Sequence, residues 1–156
     1  MNFRTKRKKW LIAASVLAIG FIGIQFIPVQ RNQSSAIFPS DFINVYPVPD
    51  AVQNKLRVAC YDCHSNNTRY PWYNNVQPVA WFLESHVAEG KAELNFSEWD
   101  AYSARRKRNK LKSIISQISD DKMPPSSYAL MHRDAILSKE EKKSLLEWLQ
   151  QLKDSL

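Results

Sequence analysis

Residues 60–64 read Cys60-Tyr61-Asp62-Cys63-His64, and the reading of the whole chain turns on them. Two thiols three positions apart, followed at once by an imidazole, form the C-x-x-C-H pattern of covalent haem attachment. The thiols can add to the two vinyl groups on one edge of a porphyrin, and the next residue can then reach the iron. Positions i and i+3 are neighbours on one helix face, which suits both bonds. No other cysteine is present. The competing readings are a plain Cys60–Cys63 disulfide and a thioredoxin-like redox pair, but the latter expects alternating strands and helices that this chain does not show. A closed zinc site ordinarily needs four N or S ligands, and no second cysteine pair exists. The expected cofactor is therefore one covalent haem c, held through Cys60 and Cys63, with neutral His64 as the proximal iron ligand through Nε2.

Outward from this motif the periodicity is helical throughout. Asp50 is placed to cap a helix whose apolar positions Val52, Leu56 and Ala59 lead onto Cys63. Residues 65–77 are Asn-rich, with Pro71 among Tyr70, Trp72 and Tyr73, and read as a loop. Pro78 opens a second helix with Val79, Phe82, Leu83, His86 and Val87 on one stripe, ending before Gly90. Ser97, with Glu98 and Asp100, reads as the start of a third helix carrying Leu111, Ile114, Ile115 and Ile118, which stops before Met123-Pro124-Pro125. Ser138 and Glu141 form a capping box for a last helix with Leu145, Leu149 and Leu152. The expected fold class is all-α: a small cytochrome c-like helical domain over residues 50–156, with long loops wrapped around the haem. Its supply of apolar side chains is thin for so much loop, so haem burial at about 25 cal/mol per Å² should complete the core. The holo form is expected to be much better folded than the apo form.

The sixth iron position falls among Met123, His86, His132, Met131 and a vacant or water-bound site. Met123 is preferred, because Pro124 and Pro125 hold the backbone extended and let the thioether project inwards, although such a methionine also serves as a packing residue. His86 is the alternative distal ligand, or else a core or propionate-facing histidine. His132 is read as solvated. The aromatic residues Tyr70, Trp72, Tyr73, Trp81 and Phe82 are expected to wall the haem pocket.

Residues 10–29 carry no charge and are rich in Leu, Ile, Ala, Val and Phe, with Gln25 the one strongly polar side chain. Following a basic segment at 1–9, they read as a single-pass transmembrane anchor, with a cleaved signal segment as the competitor given small residues at Ser34 and Ala36. Residues 30–49, with Tyr46-Pro47-Val48-Pro49, read as an extended tether. The expected location is thus the cytoplasmic membrane, with the haem domain on the periplasmic side. The formal charge of +7 is not a nucleic-acid signal: Arg4, Lys6, Arg7, Lys8 and Lys9 precede the apolar segment and leave 17 basic against 15 acidic residues. The run Arg105, Arg106, Lys107, Arg108, Lys110, Lys112 reads as a solvated face able to meet an acidic partner or haem propionates.

With these residues in view, the chain from about Asn44 to Leu152 resembles the bacterial haem-binding-domain proteins, small exported proteins with a single C-x-x-C-H. The likeness is carried by Val45-Tyr46-Pro47-Val48-Pro49, Cys60-Tyr61-Asp62-Cys63-His64-Ser65-Asn66, Tyr70-Pro71-Trp72-Tyr73, Leu94-Asn95-Phe96-Ser97 and Lys122-Met123-Pro124-Pro125. The order C-x-x-C-H, distant Met-Pro, terminal amphipathic helix is also similar to class I cytochromes c, and that likeness implies Met123 as distal ligand. The region from Tyr70 to Phe96, which brings His86, departs from the cytochrome pattern. The function implied is one-electron transfer with redox partner proteins, non-enzymatic. The alternative is an open-site haem protein, a gas or redox sensor or a small peroxidase.

Overall fold

The computed structural model describes residues 3–34, 36 and 38–156, with backbone alone for 3–5; residues 1, 2, 35 and 37 lie outside the described residues. The segments 1–9 and 30–49 are therefore described only in part. In chain order the helices are α1 (Phe3–Ile24), α2 (Phe42–Val45), α3 (Asp50–Ala59), α4 (Tyr61–His64), α5 (Val79–Glu93), α6 (Ala104–Ser119), α7 (Ser126–Met131) and α8 (Lys139–Asp154). Short 3-10 turns at Trp72–Asn75, Phe96–Ala101 and Arg133–Ala135 punctuate them. Among the described residues there is no strand, in keeping with the all-α expectation. The chain divides into two units, residues 1–31 with 70–86, and residues 32–69 with 87–156, so that α5 contributes a part to each.

In the first unit the N-terminal expectation is corrected. Among the described residues no helix is long and apolar enough to cross a membrane. Helix α1 starts in the basic segment and ends at Ile24, so its apolar part, from Trp10 on, extends about 22 Å at roughly 1.5 Å per residue, short of a hydrocarbon core of about 30 Å. The chain turns there because Gln25 is engaged elsewhere. Its side-chain amide donates to the carbonyls of Phe21 (3.0 Å) and Gln77 (3.2 Å), and its Oε1 accepts the Gln77 N–H at 2.9 Å. The buried Gln77 in turn donates to the Ile27 carbonyl at 3.3 Å. A transmembrane helix over 10–29 and a single-pass membrane location are accordingly not supported.

The second unit holds the core. Helices α6 and α8 pack together through Leu111, Ile118, Leu145 and Leu149, joined by Val52 and Leu56 of α3. Each such side chain, fully buried, contributes about 1.5–3 kcal/mol relative to exposure. The capping box that starts α8 is formed as expected, with the Glu141 N–H donating to Ser138 Oγ (3.2 Å) and the Ser138 N–H donating to Glu141 Oε2 (2.8 Å). Two differences from the expected elements follow from side-chain interactions that periodicity does not report. Ser97 does not begin α6: it lies buried in a separate turn capped by Asn95, and Ser103 caps α6 instead. The expected tether contains α2, whose Phe42 is 0 % exposed. The Phe42 ring meets Trp99 edge-on at 4.7 Å and also contacts Tyr46, Phe96 and Trp148, so this proline-punctuated stretch forms part of the core.

Candidate haem site

Helix α3 runs its apolar stripe to Ala59 and breaks at Cys60, whose φ of −128° and ψ of −43° leave the helical path. The chain then makes one more turn, α4, with the N–H groups of Cys63 (3.2 Å) and His64 (3.0 Å) both donating to the Cys60 carbonyl. This compact turn throws successive side chains to different sides. Tyr61 stacks on Phe96 with ring centroids 5.0 Å apart, and its hydroxyl donates to buried Asp41 at 2.6 Å. Asp62 turns to the Arg69 guanidinium and the Tyr128 hydroxyl. Cys60 and His64 face a cavity of about 310 Å³ whose walls are largely apolar, with Ala59, Leu94, Phe96, Ile114 and Ile118 among its lining.

His64 Nδ1 lies 2.8 Å from the carbonyl oxygen of Gly90 and 3.2 Å from that of Leu94. Carbonyl oxygens only accept, so Nδ1 carries the proton and donates, leaving the lone pair of the neutral ring on Nε2. Burial also holds the imidazole below its ordinary protonation range, which keeps it neutral. The close approach of α5 depends on Gly90, where a Cβ would lie 2.7 Å from the Cys63 carbonyl oxygen. Both cysteines are free thiols. Burial, with the neighbouring Cys63, pushes the Cys60 thiol up to about 12; burial, with the charge of Asp62, pushes Cys63 up to about 11. Among the described residues there is no group of three or more His, Cys, Asp or Glu that could hold a metal ion.

The other residues singled out in the sequence divide. Met123 lies on the wall of the same cavity as Cys60 and His64, 36 % exposed, with its own N–H donated to the Gln117 carbonyl at 3.2 Å and a cis bond to Pro124 after it. Cys63 is not among the lining residues; it sits half-buried beneath Gly90. His86, in the first unit, is exposed on α5, with Nδ1 donating to the Phe82 carbonyl (3.0 Å) and its ring 4.2 Å from Phe82. Met131 is exposed, and His132 stacks on Tyr128 at 4.1 Å. The aromatic residues Tyr70, Trp72, Tyr73, Trp81 and Phe82 belong to the first unit, where Trp72 is 78 % exposed. Within the second unit the cavity is walled by Leu94 and Phe96, with Lys110, Glu93, Ser113 and Gln117 also on its lining. Of the basic run, Lys107 pairs with Asp100 and Lys110 donates to the Glu93 carbonyl. Of the α6 residues on the lining, Ile114 and Ile118 belong to the apolar stripe read from the sequence, whereas Lys110, Ser113 and Gln117 do not, and the part played by Leu94 and Phe96 has no periodic signal.

The family model of the haem-binding domain matches residues 19–151, and the chain belongs to that family as a haem-binding protein. No curated protein and no solved structure matches it. The residues present fit the group. A neutral imidazole has its proton committed to backbone carbonyls and its second nitrogen available, two free thiols lie on the same turn, and an apolar cavity carries a thioether on its wall.

Proposed function

We propose that the chain carries a single haem c, bound covalently through Cys60 and Cys63 and ligated by His64 and Met123, and that it acts as a one-electron carrier between redox partner proteins. The observation that supports this reading most is the meeting of Cys60, His64 and Met123 on one largely apolar cavity. Bound haem would supply a one-electron couple between ferrous and ferric iron, and His64 with Met123 would hold the iron and raise its potential. The chain's own residues do the rest. The Gly90 and Leu94 carbonyls orient the His64 ring, while Leu94, Phe96, Ile114 and Ile118 exclude water and lower the local dielectric. Arg105, Arg106 and Arg108, exposed on α6, offer a positive face to an acidic partner.

Partial exposure of Met123 favours the second reading, an open-site haem protein whose sixth position exchanges. Carbon monoxide separates the two. Ferrous wild-type protein is expected to bind it slowly and incompletely, and its ferric spectrum to show the weak band of methionine-sulfur ligation. Met123→Ala is expected to abolish that band with the haem still attached and to bind carbon monoxide readily. Fast, stoichiometric binding by the wild type would contradict the electron-carrier reading, and a bis-histidine spectrum would pass the distal role to His86.

A further inference from the structure

Asp62, between the two cysteines, carries a carboxylate in a residue only 5 % exposed. A carboxylate in such surroundings is tolerated only when its lone pairs are met. The Arg69 backbone N–H donates at 3.1 Å and its guanidinium at 3.3 Å through both Nε and Nη2. These are local partners, from seven residues along the chain. The remaining partner is not local: the Tyr128 hydroxyl, on α7, lies 2.7 Å from Asp62 Oδ2. The same hydroxyl is 3.0 Å from the Val58 carbonyl, so it is seated against the end of α3 as well.

Helix α7 follows Met123 almost at once. Pro124 and Pro125 intervene with φ fixed near −65°, and the Pro125 carbonyl accepts the N–H groups of Tyr128 and Ala129, both at 3.0 Å. On the other side, the Met123 N–H is donated to Gln117, a residue on the lining of the same cavity. The methionine thus sits on a short, stiff segment anchored at one end to α6 and at the other to Tyr128.

We infer that the Asp62–Tyr128 hydrogen bond is a clamp that ties the cysteine-bearing turn to the segment presenting Met123, making Asp62 and Tyr128 positioning residues for the distal thioether. This rests on the proposed role of Met123 as distal ligand. Loss of the bond frees the segment to swing, so an added ligand displaces the thioether more easily, with the covalent attachment and the fold left in place.

The test is imidazole titration of the ferric holoprotein, following loss of the methionine-sulfur band, with thermal unfolding by far-UV circular dichroism measured alongside. Tyr128→Phe keeps the ring stacked on His132 and removes only the hydroxyl. It is expected to lower the apparent Kd for imidazole about tenfold, the scale of one hydrogen bond to a charged group. Asp62→Asn should do the same, and the double variant no more than either single. The control is Tyr61→Phe, which removes the hydroxyl of the other residue between the cysteines, bonded to Asp41 and with no tie to α7. It is expected to lower the unfolding temperature but leave the imidazole Kd within about twofold of wild type. The clamp is overturned if Tyr128→Phe leaves the Kd unchanged, or if Tyr61→Phe shifts it as far. A wild type with no methionine-sulfur band removes the ligand assignment itself, and the clamp with it; a wild type with that band and an unshifted Tyr128→Phe removes the clamp alone.

Discussion

His64 concentrates the chemistry at the scale of a single residue. Two backbone carbonyls, from Gly90 and Leu94, hold Nδ1–H and so decide the tautomer, and burial opposes protonation of the ring below its ordinary value of 6.5. The sign of the consequence follows from proton linkage. The unfolded chain takes up a proton at His64 more readily than the folded chain, so the contribution is complete above about 6.5 and is lost as the pH falls below it. In haem-free protein the urea midpoint is expected to be lower at about pH 5.5 than at about pH 7.5, and His64→Gln to narrow that difference. Equal narrowing absent, with the variant tracking wild type at both values, would show that the ring is not held neutral. The same residue scale shows how much of the site is legible without coordinates. Cys60, Cys63 and His64 are singled out in the sequence by their spacing, and Met123 by the two prolines that follow it. The acceptors on Nδ1 are not, since every residue has a carbonyl and only the approach of α5 selects these two.

At the scale of elements, that approach of α5 to α4 carries its own prediction. Alanine in a helix interior is favoured over glycine by about 1 kcal/mol. At Gly90 the added Cβ would stand 2.7 Å from the Cys63 backbone oxygen, which no side-chain rotation can relieve, and overpacking of this kind costs about 1–3 kcal/mol. Gly90→Ala is therefore expected to lower the thermal midpoint, whereas Gly20→Ala and Gly23→Ala, with nothing within 4 Å of the new atom, are expected to raise it or leave it unmoved. A Gly90→Ala protein as stable as the Gly20→Ala protein would contradict the close packing. Elements with strong local signals were readable in advance, such as the capped α8 and the stripes of α3 and α6. Others were obscured by competing local chemistry. Ser97, Glu98 and Asp100 imitate a helix start, yet Ser97 is buried, with its hydroxyl donating to Asp41 and accepting the Asn66 N–H. The prolines around Val48 suggest a linker, yet one turn earlier Phe42 fills the centre of an aromatic cluster.

For the molecule as a whole, hydropathy alone misleads at the N-terminus. The uncharged run at 10–29 counts as a membrane span until Gln25 is seen bonded to Gln77, a contact across 52 residues that ends the helix early and that no window of neighbours can report. The C-x-x-C-H pattern, by contrast, is local chemistry, and the membership of the haem-binding family agrees with haem as the bound group. Within the second unit, the apolar cavity of about 310 Å³ lies where a core would otherwise close, so the bound group should complete the packing. The central claim is that two thiols on one turn carry that group covalently. The direct measurement is the intact mass, under denaturing conditions, of protein produced alongside a haem-attachment system, with the Cys60→Ser/Cys63→Ser variant beside it. The account predicts the polypeptide plus one haem for the wild type and the bare polypeptide for the variant; a wild-type protein at the polypeptide mass alone would contradict it.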